Sequence, residues 1–259
     1  MRENRHGTGA SAMRSSAIIV VMLLAGAGLS APASAATLAD CDAEGSIVLR
    51  PSASPAVDAR AAAYWFDRQS IRWPGAPGDG RYRLYHSASA AVVAEPGRPV
   101  RGAEGHLDLR PRRTQFARDV VERFRFVAPG TDLQLDAGDV ARVGELLRQQ
   151  LVLVREDAAG RVLAATALQH AGALDDLYAA AVASPPLGPH RTGSMSALSV
   201  WAPTARAVSV CVFPDDTGAA STVQPLARDG LSGHWSWRTP QGLSGRYYRF
   251  LVDVHVPGT

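Results

Sequence analysis

Two pairs of adjacent carboxylates and three tryptophans are the residues of this 259-residue chain that invite a chemical reading. Asp175 and Asp176 stand together in "ALDDLYAAAVAS", and Asp215 and Asp216 in "FPDDTGA". Hydrolysis of a glycosidic bond needs two carboxylates on opposite sides of a bound sugar, about 5 Å or more apart. Neighbouring acids at the start of a short helix favour the helix dipole instead, and an Asp-Asp step before Thr-Gly reads as a turn. Both pairs are therefore expected to be structural. Trp201, Trp235 and Trp237 offer flat rings of the kind that stack on the C–H faces of sugars. In "GHWSW" the alternation puts Trp235 and Trp237 on one face of a strand with Ser236 opposite. This pair is the candidate carbohydrate contact, and the same spacing equally describes two core residues of a small sandwich.

Other constellations are missing. The sequence has no G-x-S-x-G elbow, no Walker-type loop, no H-E-x-x-H and no C-x-x-C. Its seven histidines are scattered, and none has a second histidine or cysteine at metal-ligand spacing. No catalytic residue, metal or cofactor is assigned. Cys41 and Cys211 either form one disulfide in an oxidising compartment or stand as separate thiols.

The N-terminus speaks for such a compartment. Arg14 precedes the apolar run "AIIVVMLLAGAG", and "SAPASAA" follows. A basic start, an apolar stretch of about 12 residues and an Ala-x-Ala site describe a secretory signal peptide over residues 1–36. A spanning helix needs about 20 apolar residues. Asp40 before Cys41 disfavours lipidation, which takes a small residue there. The expected location is secreted or periplasmic, with no membrane partner after cleavage. The formal net charge is +3, and residues 1–36 carry Arg2, Arg5, Arg14 and Glu3, so about +1 remains. That is no footprint for nucleic acid. Arg110, Arg112 and Arg113 in "LRPRRTQ" read as a solvated surface.

Two breaker-rich stretches divide the rest. "RPSASPAVDA" closes a flexible segment over 37–61, and "SPPLGPHRTGSMS" marks a linker at 185–196. Between them, 62–184 is mostly β. "AYWFDRQSIRW" and "RYRLYHSA" alternate as strands, and "QLVLVREDAAGRVLAATAL" is a hairpin with Gly160 supplying a positive φ. "DAGDVARVGELLRQ" is expected as one helix with Asp136 as N-cap, and "ALDDLYAAAVAS" as a short helix. Residues 197–259 carry strands in "ALSVWAPTARAVSVCVF", "GHWSW" and the tail, where Tyr248, Phe250, Val252, Val254 and Val256 share a face. The expected fold is mainly β: two tandem β-sandwich, immunoglobulin-like domains, the second incomplete.

"SVWAPTARAVSVCVF", "GHWSW" and "GLSGRYYRFLVDV" resemble the family 48 carbohydrate-binding module that precedes the barrel of bacterial pullulanase-type debranching enzymes. "AYWFDRQSIRWPG", "YRLYHSASAAV" and "LLRQQLVLVREDAAGRVLAATALQHAGALDDLY" resemble the accessory domain that comes before that module. The resemblance implies the N-terminal part of a glycoside hydrolase of family 13 that cuts α-1,6 bonds in pullulan and branched dextrins. It also implies an α-glucan such as starch, pullulan or dextrin as partner, along with the catalytic barrel, for which a chain of about 250 residues is needed. None of the barrel's acid motifs occurs here. The chain alone is expected to be an inactive, truncated accessory portion. The alternative is a free-standing glucan-binding or adhesion protein.

Overall fold

The computed structural model describes residues 36–43, 58–184 and 186–256; the signal-peptide reading lies outside them. The expected mainly β architecture is what these residues form, with fourteen strands and a few short helical turns among them. Seven strands build the first domain: β1 (Asp58–Asp67), β2 (Ser70–Pro74), β3 (Arg81–Ser87), β4 (Gly105–Pro111), β5 (Gly130–Leu135), β6 (Gln150–Glu156) and β7 (Val162–Gln169). Its sheet is more closed than a simple sandwich. The order β1-β2-β5-β4-β3-β6-β7 returns on itself, and β1 runs parallel to β7 at the seam. Closure leaves no strand edge. Trp65, Ile71, Trp73, Tyr82, Leu84, Leu107, Leu133 and Leu153 fill one continuous core. Alternation explains the filling: Tyr82 and Leu84 point in, and Arg83 and Tyr85 point away from that core.

The helical turns pack around this barrel. They are α2 (Arg118–Arg123), α3 (Val143–Leu146) and α4 (Ala171–Leu177), numbered after an N-terminal α1 (Leu38–Asp42). The stretch expected as one helix from Asp136 is a 3-10 turn over Ala137–Arg142 followed by α3. Asp136 makes no cap hydrogen bond; its carboxylate pairs with Arg110 at 3.0 Å instead. With its cap spent elsewhere and Gly138 inside, the first turn lacks what nucleates an α-helix.

The second domain is a two-layer sandwich. One sheet has the order β11 (Thr222–Pro225), β10 (Ala207–Phe213), β14 (Tyr247–Asp253). The other has β12 (Ala227–Arg228), β13 (His234–Thr239), β9 (Met195–Trp201), β8 (Gly188–Thr192). The centre of the stretch read as a linker is thus β8, paired to β9 through a hairpin with Gly193 at φ +62°. Its sequence GPHRT has no apolar alternation to announce a strand, because an edge strand buries little.

One feature joins distant parts of this domain. The short α1 lies on the outer face of β10, where Cys41 and Cys211 form a disulfide with Cα atoms 5.7 Å apart across 170 residues of sequence. Cys41, Cys211, Ala220 and Leu251 make a small buried cluster there. Asp42 accepts the Ala220 N–H at 2.9 Å. The sequence left open whether the cysteines meet; they do.

The two domains are also tied directly. Arg148, just after α3, donates to the carbonyls of Ala205 (2.9 Å) and Arg206 (2.7 Å) in the sandwich, and pairs with Glu145 at 2.9 Å. Arg228 of β12 reaches back to the Tyr178 hydroxyl at 3.0 Å. Two charge-assisted bonds across the boundary from one guanidinium, itself held by Glu145, fix a docking angle in a way that apolar contact does not.

Candidate functional site

The candidate site is assembled by the β9–β13 pair of the sandwich. In its register Trp235 faces Val200 and Trp237 faces Leu198. All four point to the side where Val208, Val210 and Phe250 of the other sheet lie. Trp235 is 6% exposed, and its indole N–H donates to the Ala202 carbonyl at 2.9 Å. Trp237 is half-buried against the same cluster. The parity read from the sequence holds, but the shared face is the core face. Trp235 offers no open ring to a sugar, and Trp237 offers only part of one. Alternation says which residues go together, not which side of the sheet is wet.

Trp201 has the opposite setting. It ends β9 opposite His234, on the outer face, and is 39% exposed. Its indole N–H donates to the Ser232 carbonyl at 2.9 Å, so the ring is held in one orientation while its body meets solvent. The turn behind it is built for this. Asp229 accepts from the Leu231 N–H at 2.9 Å and the Ser232 hydroxyl at 2.8 Å. These bonds hold its carboxyl below the usual range. Gly233 takes φ +72°, where a Cβ would come within 2.7 Å of Pro203. Beyond His234 on the same face of β13 come Ser236 and the exposed Arg238. A fixed aromatic ring can stack on one sugar face, and Ser236, paired with Ser199 on the same outer face, lies next along the strand with a hydroxyl that can hydrogen-bond a sugar hydroxyl.

A second concavity, of about 350 Å³, opens between β8 and β14. Leu198, Val212, Leu243 and Tyr248 form its apolar part, and His190, Arg191 and Arg246 its polar part. No carboxylate lines it.

The acid pairs have structural occupations. Asp176 grips Arg68 through two side-chain bonds, at 2.8 and 2.9 Å, and accepts its backbone N–H at 3.0 Å. The Arg68 hydrogen bond holds the Asp176 carboxyl below its ordinary value. Asp175 pairs with Arg123 at 3.5 Å. Both acids lie near the end of α4 rather than at its start, so partner arginines, not the helix dipole, explain them. Asp215 accepts from the N–H groups of Thr217 and Gly218, which confirms a turn. Among the described residues no group of three or more histidines, cysteines or acids is placed to hold a metal.

At the domain boundary, the His170 imidazole is buried and its pKa is pushed down to about 4, by burial and then by His255. His255 is likewise pushed down to about 4, by burial and then by Arg206. Burial outweighs charge in both. No sequence pattern marks these two or Arg148, since each works through a residue far away along the chain.

Comparison with known proteins agrees with this architecture. Residues 60–176 match the pullulanase N2 domain, and residues 186–258 match carbohydrate-binding module 48, the isoamylase N-terminal domain. The chain is 34% identical over 199 residues to a pullulanase of Klebsiella pneumoniae, covering 77% of this chain and 18% of that protein. It is 31% identical to pullulanase 1, chloroplastic, of Arabidopsis thaliana, covering 76% of this chain and 20% of the relative. The crystal structure of apo pullulanase from Klebsiella pneumoniae superposes with a TM-score of 0.66 at 34% identity, over 76% of this chain and 20% of that one. The chain thus spans about a fifth of the length of the relatives it matches.

Proposed function

We propose that this chain, which carries a pullulanase N2 domain followed by a carbohydrate-binding module 48, is the α-glucan-binding accessory part of a secreted starch-debranching enzyme. Binding of carbohydrate in general follows from the module's family; starch, pullulan and dextrins as the partners are our reading. The observation that carries it is the pair of domain matches, in this order, over one continuous stretch. The parent reaction would be hydrolysis of α-1,6-glucosidic bonds by a catalytic barrel. This chain supplies contact and placement. The run from Arg14 to Ala36 supports export to the periplasm or medium.

The sugar contact is assigned to Trp201, with Ser236 next along the same outer face, because that ring is fixed at its N–H edge and exposed on its body. Trp235 and Trp237 support the sheet from beneath. Native electrophoresis in a gel loaded with pullulan tests this. The chain should be retarded, and Trp201→Ala should migrate freely with unchanged melting. Unretarded wild-type chain contradicts glucan binding. Retardation lost in Trp237→Ala but kept in Trp201→Ala returns the contact to the inward pair. Incubation with pullulan should release no reducing sugar.

A further inference from the structure

The turn that anchors Trp201 is itself held by the other domain. The indole N–H of Trp201 donates to the Ser232 carbonyl, and Ser232 belongs to a turn closed by backbone bonds. The Asp229 N–H donates to the His234 carbonyl at 2.8 Å, and the Gly233 N–H to the Asp229 carbonyl at 2.9 Å. Against this turn lies Tyr178, which follows α4 in the first domain. A Cβ at Gly233 would stand 2.7 Å from Pro203 and 3.2 Å from Cδ1 of Tyr178. Glycine at this place lets the turn touch a proline of its own domain and an aromatic ring of the other.

That ring has little freedom. Tyr178 is 4% exposed. Its hydroxyl accepts from Arg228 at 3.0 Å, a residue 50 positions away, and the same guanidinium lies 6.0 Å from the ring centroid. Arg228 ends β12, directly before the turn, and Glu145 of α3 stands 3.8 Å from it on the barrel side. The Tyr178 hydroxyl also sits beside Gly144 of α3, where a Cβ would be 3.5 Å away. A buried ring fastened at its polar tip and packed on a glycine turn acts as a stop for that turn.

We propose that Tyr178 is a positioning residue for the glucan contact. By holding the Asp229–Gly233 turn, the first domain fixes the Ser232 carbonyl, and so the plane in which the Trp201 ring is presented. Being buried, Tyr178 works through the turn and not through the sugar. The inference rests on the glucan-binding reading and gives the first domain a part in it. A ring oriented before the ligand arrives does not have to be ordered on binding, which is where affinity is gained.

Two readouts on the full chain, both taken below its melting temperature, separate positioning from stability alone. In labelled protein without ligand, Tyr178→Ala should shift the Trp201 indole N–H signal and speed its exchange with solvent, because the bond to Ser232 opens more often. The signal of Trp73 in the barrel core should stay in place. In gels of graded pullulan content, the affinity of Tyr178→Ala should fall about three- to tenfold, the range set by freeing one side chain. Tyr178→Phe keeps the ring against the turn and should recover most of that affinity. If the alanine variant does not fold, Tyr178→Leu keeps an apolar filling and takes its place, with the same expected direction. An unmoved Trp201 signal, or full pullulan affinity in the variant, overturns the inference and leaves the glucan-binding reading standing. Wild-type chain that pullulan does not retard overturns that reading and the positioning role with it.

Discussion

The two domains solve the edge problem of a β-sheet in different ways. The first closes seven strands into a barrel, and its core is filled from every strand. The second stacks a three-stranded on a four-stranded sheet, and among the described residues β11, β14, β12 and β8 are outer strands. A closed sheet is stabilised from inside and has no surface that asks for a partner. An open one depends on what is laid against it: α1 through its disulfide and the barrel through Arg148. In the function proposed above, the barrel is the scaffold and the sandwich is where contact is made.

The largest effect should come from removing the strap on the open domain. Cys211→Ser frees α1 and opens a loop of 170 residues, for which chain entropy gives a loss on the order of 4–5 kcal/mol. Calorimetry should show the sandwich melting earlier and the barrel transition almost unmoved. An equal fall in both would mean that the two domains unfold as one unit.

Acid should act next, at the boundary. His170 and His255 have folded pKa values pushed down to about 4, against about 6.5 when unfolded. The unfolded chain therefore binds protons that the folded chain refuses. The stability held by these neutral rings is complete above pH 6.5 and is lost as pH falls toward 4. For His170 the loss is about 2–3 kcal/mol. His170→Gln should flatten the decline of melting temperature over that window; an unchanged slope would place the acid sensitivity elsewhere.

Arg148→Ala should cost about 2 kcal/mol, since two carbonyls lose a charged donor. Its particular signature should be uncoupling, with the sandwich and barrel transitions moving further apart. Two transitions that merely shift down together would contradict the clamp. The smallest effect is expected at the acid pair. Asp176→Asn breaks a partly exposed ion pair with Arg68 and should cost under about 1 kcal/mol.

What the sequence made legible, and what it did not, follows the same contrast. The hairpin of β6 and β7 was readable because its pattern is local, and Gly160 sits at φ +76° as the turn demands. The family was readable from motifs such as "SVWAPTARAVSVCVF". Barrel closure was not, because the parallel seam of β1 and β7 joins residues about a hundred positions apart, and no local period records it. The strand β8 was hidden by Pro and Gly that also belong to loops. The site was half readable. Trp235 and Trp237 were correctly placed on one face, but only the register with Val200 and Leu198 shows that this face is inward. Trp201 was visible as an aromatic and not as the exposed one, since its anchor, the Ser232 carbonyl, is a backbone group that no sequence pattern marks.

The most direct test uses the five tryptophans as reporters of the division between scaffold and contact surface. Trp65 and Trp73 lie in the barrel core, and Trp201, Trp235 and Trp237 in the sandwich. Indole N–H signals of the labelled chain should be followed by NMR during titration with a pullulan-derived oligosaccharide. The Trp201 signal should move most and saturably, while those of Trp65 and Trp73 stay in place. Movement of the barrel signals, with Trp201 unmoved, would contradict it.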